Sequence, residues 1–185
     1  MKTIQVSETV ILREFKTEDA ESLFELIDRS RNHLNEWLPW VDEVKSVKDS
    51  QGFITFAQEE AESGSSLHLG IFEKGRLAGK VCLYQINDRI KTASIGYYIG
   101  ADFEGRGLVT QAVKQLADFA FKTQGLNRLE IKVVSQNKRS LAVPQRLRFS
   151  YEGCLRESGE FQRKPADQHI FSLLKGNFNH KDAKC

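Results

Sequence analysis

The sequence predicts an α+β fold in a single domain, and three observations carry that expectation. Strand-like runs crowd the stretch 67–99. A strand, a glycine-rich loop, a helix and a second strand follow one another from 94 to 134, an arrangement that must form a βαβ crossover. Apolar residues recur at helical spacing both before this unit, over 20–27, and in the helix within it, over 109–120. A length of 185 residues suits one domain, and 40% apolar with 28% charged residues is ordinary globular composition.

The elements are expected in this order. Residues 10–15 read as a strand. Thr17 caps a helix whose first turn holds Glu18 and Asp19, where acids suit the positive helix end, and Ala20, Leu23, Phe24 and Ile27 form its apolar stripe. A short helical piece over 33–37 stops at Pro39. Ser46 and Asp49 make a capping box, and the helix they open is expected to bury Phe53, Phe56 and Ala57 and to end at Gly64. Residues 67–72 and 77–84 form a hairpin across Lys74-Gly75, with a third strand over 92–99. Val109, Ala112, Val113, Leu116, Ala117 and Ala120 stripe a helix that Gly125 closes. A strand over 128–134, a helix over 138–147, a strand starting over 149–152 and a last strand over 169–174 complete the chain.

Lys and Arg number 27 against 25 Asp and Glu, too even a balance for nucleic acid to be the main partner. Small basic clusters, Lys138-Arg139 and Arg146 with Arg148, are either a solvated face or contacts for phosphate. Cys82, Cys154 and Cys185 lack metal-ligand spacing and make no disulfide framework, and Cys154 is expected to be an inert, small apolar residue. His33, His68, His169 and His180 form no ligand pattern, so no metal is expected. The N-terminus lacks the apolar run of a signal peptide and no stretch approaches 18 apolar residues, so no membrane segment and a cytoplasmic location are expected.

The loop Gly100-Ala101-Asp102-Phe103-Glu104-Gly105-Arg106-Gly107 joins a strand end to a helix start. Glycine admits positive φ and close approach of a ligand, and the first helical N–H groups have no internal partner. Phosphate oxygens suit such a place. The same two glycines also serve a tight connection with no ligand. The third glycine of a dinucleotide fingerprint is missing, and there is no Gly-Lys-Ser/Thr of a triphosphate loop.

Residues 95–99 (Ile-Gly-Tyr-Tyr-Ile) followed by Phe103-Glu104-Gly105-Arg106-Gly107-Leu108-Val109-Thr110-Gln111-Ala112 resemble the acetyl-CoA motif of the GNAT N-acetyltransferases. Asn137-Lys138-Arg139-Ser140 resembles the family's next motif. Leu34-Asn35-Glu36-Trp37-Leu38-Pro39-Trp40 is similar to the subfamily that acetylates N-termini of ribosomal proteins. The matches span 9–175, a domain core within 1–185. The resemblance implies a three-layer fold whose mixed, largely antiparallel sheet splays between its fourth and fifth strands. It implies acetyl-CoA as co-substrate, with the diphosphate on Glu104, Gly105, Arg106, Gly107, Leu108, Val109 and Thr110. It implies that the pantetheine arm pairs with the backbone of Tyr97, Tyr98 and Ile99 as an added strand and bonds Asn137. Ser140 matches the serine that assists the departing thiolate and Glu160 the base. A backbone N–H near Tyr98 or Ile99 would steady the oxyanion. Trp37 and Trp40 are acceptor-site walls or core aromatics. Tyr97 and Tyr98, being adjacent in a strand, point to opposite faces. The family also implies a possible homodimer.

Three positions depart from the family pattern. Asp102 and Glu104 bring two acids to a phosphate cradle. Arg148 stands where a glycine commonly closes the helix, so positive φ there costs roughly 1 kcal/mol. The stretch after Glu160, containing Pro165, is expected to be a rearranged loop. A small-molecule amine acetyltransferase and a non-catalytic acyl-CoA binding module are the alternatives to protein acetylation.

Overall fold

The computed structural model describes residues 2–178; His180 and Cys185 lie outside them. One eight-stranded sheet runs in the order β1-β2-β3-β4-β5-β6-β8-β7. Its strands are β1 (Thr3–Gln5), β2 (Val10–Glu14), β3 (Leu67–Glu73), β4 (Arg76–Asn87), β5 (Thr92–Ile99), β6 (Arg128–Val134), β7 (Ser150–Phe161) and β8 (Lys164–Leu174). Every neighbouring pair is antiparallel except β5 and β6. The connection between those two is α4 (Leu108–Lys122), the crossover helix the glycine loop announces. β1 has only three residues and one partly covered side chain, too little for a periodic pattern. It makes the splayed pair fifth and sixth; they are fourth and fifth when this short edge strand is left out.

The other helices are α1 (Ala20–Arg29), α2 (Arg31–Leu34), α3 (Val47–Ser63) and α5 (Lys138–Arg146). Their apolar faces close the core over β-strand residues that are fully covered, among them Leu12, Leu69, Val81, Leu83 and Leu129. In α3 the covered residues are Ser50, Ile54 and Ala57, a stripe at i, i+4 and i+7. Phe56 is 49% exposed, contrary to expectation, because it lies two residues and some 200° from Ile54 around the helix. Ile54 fills the core in its place.

Two further expectations change. The helical piece near His33 is α2, which ends at Leu34; Trp37 follows in an irregular turn, and Pro39 opens a 3-10 turn, Pro39–Glu43, rather than merely stopping a helix. The stretch after Glu160 is the tip of a long hairpin, with Glu160 opposite Pro165 and a turn at Gln162 and Arg163, whose φ values are 50° and 61°. No glycine marks that turn. Pro165 lies where β8 has only β7 beside it, since pairing with β6 begins at Gln168, and such an edge position tolerates a residue without an N–H. Arg148 does take φ 58°, as its place in the family pattern requires. Cys154 is exposed on β7 rather than packed, and desolvation and Asp167 push its thiol up.

Candidate active site

The β5–β6 pairing covers Thr92↔Arg128, Ala93↔Leu129 and Ser94↔Glu130, then stops. Residues 95–99 and 131–134 are strand without pairing to each other, so the sheet opens into a V with backbone groups facing across it. The V ends on the N-terminus of α4. Gly105 and Gly107 hold φ of 73° and 72°, which a side chain would strain, and open space surrounds Gly105. No side chain caps α4, whose first bond runs from Gln111 N–H to the Gly107 carbonyl at 3.0 Å. The amides before it therefore have no helical acceptor. Leu108 and Thr110 bury their side chains and offer only backbone.

Not every cradle residue contributes as expected. The Glu104 N–H is spent on the Ala101 carbonyl at 3.4 Å. The Arg106 guanidinium bonds Glu73 at 2.8 Å and the Asp102 carbonyl at 2.8 Å, stacking over Phe103. The two acids have partners. Asp102 pairs with Arg29 of α1 at 3.3 Å. Glu104 pairs with Arg139 of α5 through one oxygen and with His33 of α2 through the other, the latter at 3.3 Å. Arg139 thus bridges the two sides of the V by way of Glu104.

Ser140 sits in the first turn of α5, beyond the open end of β6. Its N–H donates to Asn137 Oδ1 at 3.0 Å, the helix cap. Its hydroxyl donates to the Tyr97 hydroxyl at 3.2 Å, and that hydroxyl donates to the Ser140 carbonyl at 3.0 Å. Burial pushes the Tyr97 phenol above its ordinary range, so it keeps its proton. Asn137 has one side-chain oxygen committed to the cap and its amide nitrogen in reserve.

Tyr98 points to the opposite sheet face. Its ring meets Trp40 at 5.6 Å, and the Lys80 ammonium lies 5.7 Å from its centroid. Trp37 stacks on Phe161 at 5.1 Å, an edge of the hairpin tip, and Arg163 pairs with Asp42 at 2.5 Å. Between them lies a cleft of about 450 Å³ lined by Asn35, Glu36, Pro39, Glu160 and Gln162. Of the residues singled out in the sequence, the structure brings Tyr97, Asn137 and Ser140 into contact, and Trp40 with Tyr98. Among the described residues no hydrogen bond joins Glu160 to Ser140 or Tyr97.

Sequence reasoning missed Arg139 and His33 as partners of Glu104, Phe161 as partner of Trp37, and the polar group Glu60–His68–Lys80. In that group the His68 Nδ1 lies 3.4 Å from the Lys80 amine, and its Nε2 lies 3.7 Å from the Glu60 carboxylate. These contacts span up to 124 positions along the chain, and nothing local announces them.

A model of the acetyltransferase (GNAT) domain matches residues 9–150. The chain is 31% identical over 176 residues to the putative ribosomal N-acetyltransferase YdaF of Bacillus subtilis (strain 168), covering 95% of this chain and 96% of that protein. It is 29% identical over 173 residues to the ribosomal-protein-serine acetyltransferase of Escherichia coli (strain K12), covering 94% and 97%. Among solved structures, the microcin C7 self-immunity acetyltransferase MccE, in complex with acetyl-CoA and AMP, superposes with a TM-score of 0.87 at 31% identity, over 91% of this chain and 94% of that one. With the strand V, the uncapped helix and these likenesses in agreement, the chain belongs to the GNAT acetyltransferase family.

Proposed function

We propose that this protein uses acetyl-CoA to acetylate the N-terminal α-amine of a protein, a ribosomal protein being the acceptor that its relatives' names suggest. The observation that carries the reading is the open β5–β6 edge running into the uncapped N-terminus of α4. Its donor chemistry suits the co-substrate: free amides and a positive helix end for a diphosphate, and an unpaired strand edge for an amide-bearing arm. Acetyl-CoA supplies an acyl carbon activated as a thioester. The backbone of Tyr97, Tyr98 and Ile99 holds the arm, with Asn137 on the other side of the V. The amides of 105–110 hold the diphosphate.

The acceptor enters the cleft beside Trp37 and Trp40. An α-amine with a pKa of about 8 is mostly protonated at neutral pH, so a base contributes even if modestly. Glu160 takes that proton, directly or through a water, and a backbone N–H near Tyr98 steadies the carbonyl oxygen. Ser140 gives its hydroxyl hydrogen bond to the departing sulfur. Among the described residues no helix is long and apolar enough to cross a membrane, and a cytoplasmic location fits an acceptor made there. A small cationic amine is the second reading, favoured by Glu36 and Glu160 in one cleft.

Calorimetric titration with acetyl-CoA, with NADH in parallel, followed by thiol release with serine-terminated peptides, alanine-terminated peptides and spermidine, tests this. Saturable acetyl-CoA binding and turnover of a peptide are expected. No acetyl-CoA binding overturns the reading; turnover of spermidine alone replaces the acceptor. In Ser140→Ala, turnover should fall at least about tenfold with acetyl-CoA affinity held within about twofold, as expected for a group that acts in the transition state. Binding without turnover in the unaltered protein would mark a non-catalytic module.

A further inference from the structure

A proline sits where helix physics says it should not. Pro144 is the seventh residue of α5 (Lys138–Arg146), inside the helix. Proline in a helix interior removes the N–H that would bond the carbonyl four residues earlier, and its ring crowds that same carbonyl. Four residues before Pro144 is Ser140. The carbonyl that loses its helical donor thus belongs to the residue whose hydroxyl meets the Tyr97 hydroxyl.

That carbonyl has a replacement donor. The Tyr97 hydroxyl reaches it from β5 at 3.0 Å across the sheet–helix boundary, and accepts the Ser140 hydroxyl at 3.2 Å. With the Asn137 cap on its N–H at 3.0 Å, Ser140 is held at three atoms by two residues. A serine in this turn otherwise has a free rotor, or returns its hydroxyl to a carbonyl of the preceding turn. Tyr97 is half-buried and its phenol keeps its proton, so it stays a donor to the carbonyl and the Ser140 hydroxyl has only the phenol oxygen to rest on.

We propose that Pro144 and Tyr97 are positioning residues for Ser140: the proline frees the Ser140 carbonyl from the helix so that Tyr97 can tie α5 to β5 and park the serine hydroxyl beside the open strand edge. This rests on the reading of Ser140 given above. It gives a role to a proline that a helix of nine residues otherwise disfavours. The energy the helix forgoes is offset at the serine.

Pro144→Ala restores the N–H, and the Ser140 carbonyl should turn back into the helix. A crystal structure of this variant should show the Tyr97 hydroxyl more than 3.5 Å from that carbonyl, beyond hydrogen-bond reach. Its melting temperature should rise, its acetyl-CoA Kd should stay within about twofold, and kcat should fall about tenfold on whichever acceptor is turned over fastest. Tyr97→Phe, which lacks the hydroxyl, should show the same drop in kcat without the rise in melting temperature. In a Ser140→Ala background neither change should lower kcat further, because the residue they position is gone. A Tyr97–Ser140 carbonyl bond that persists in the Pro144→Ala structure overturns the proposal. So does a drop in kcat that adds fully to that of Ser140→Ala. If Ser140→Ala alone leaves kcat unchanged, the role of Ser140 falls, and the positioning proposal with it.

Discussion

At the scale of single residues, Glu104 shows how charge in a cradle is managed. A carboxylate beside a diphosphate repels it, yet here the carboxylate is shared between Arg139 and His33. On the proposed reading, a diphosphate at the α4 amides would compete with Glu104 for Arg139. Replacing Glu104 with Gln removes both the repulsion and the competitor, so acetyl-CoA should bind about three- to tenfold more tightly by calorimetry, with the gain shrinking at high salt. An unchanged or weaker affinity would mean that Glu104 orients the loop rather than opposing the ligand. The sequence did show two acids at an unexpected place, but not their partners. Arg139 is 35 positions away and His33 is 71, and the pairing exists only because α2 and α5 converge on one loop.

At the scale of elements, the regular parts were readable and the irregular parts were not. β5 over 92–99 and β6 over 128–134 follow directly from alternating or continuous apolar runs with turn residues at each end. Only the start of β7 and the end of β8 were expected; the rest of the hairpin escaped notice because β7 is largely exposed on both faces, leaving no period, and the turn uses Gln162 and Arg163 at positive φ instead of glycine. That hairpin nevertheless lines the cleft proposed for the acceptor, through Glu160 and Gln162. Its tip docks on the segment after α2 through the Trp37–Phe161 stack and the Arg163–Asp42 pair. An aromatic pair of this kind is worth about 0.5–1.5 kcal/mol beyond its buried area, whereas the exposed ion pair adds little. Phe161→Ala should therefore loosen the tip and raise the KM for the acceptor roughly fivefold, leaving the acetyl-CoA Kd within about twofold. An equal effect on both constants would assign Phe161 to the fold as a whole.

At the scale of the whole molecule, the fold and the strand, two glycines and helix proposed to receive the cofactor were legible because they are local and follow one another in sequence order. The acceptor side depends on packing between distant elements, and so does the polar group that ties α3 to the sheet. His68 is 8% exposed, boxed by the Phe53 and Phe56 rings, with Glu60 on one nitrogen and Lys80 on the other. Burial first, and then the Lys80 charge, hold its imidazole down to about 4, against an ordinary value of 6.5. Because the folded value is depressed, the unfolded chain takes up a proton first as the pH falls. The contribution of His68 to stability is therefore complete above about 6.5 and is lost progressively down to about 4. Glu60 and Asp19 are also held low, Glu60 chiefly by the Ser66 hydroxyl and Asp19, against burial, by Arg13, but carboxylates lose their share only below about 4.5. Between pH 6.5 and 5 the loss belongs mainly to His68, about 2 kcal/mol, or roughly 4–8 °C in melting temperature for a chain of this size. A thermal melt series across that window should show this slope in the unaltered protein and a nearly flat line in His68→Leu, with the two curves falling together only at lower pH. Parallel curves throughout would mean that α3 is not held to the sheet by a neutral His68, and that water reaches the imidazole in the folded state.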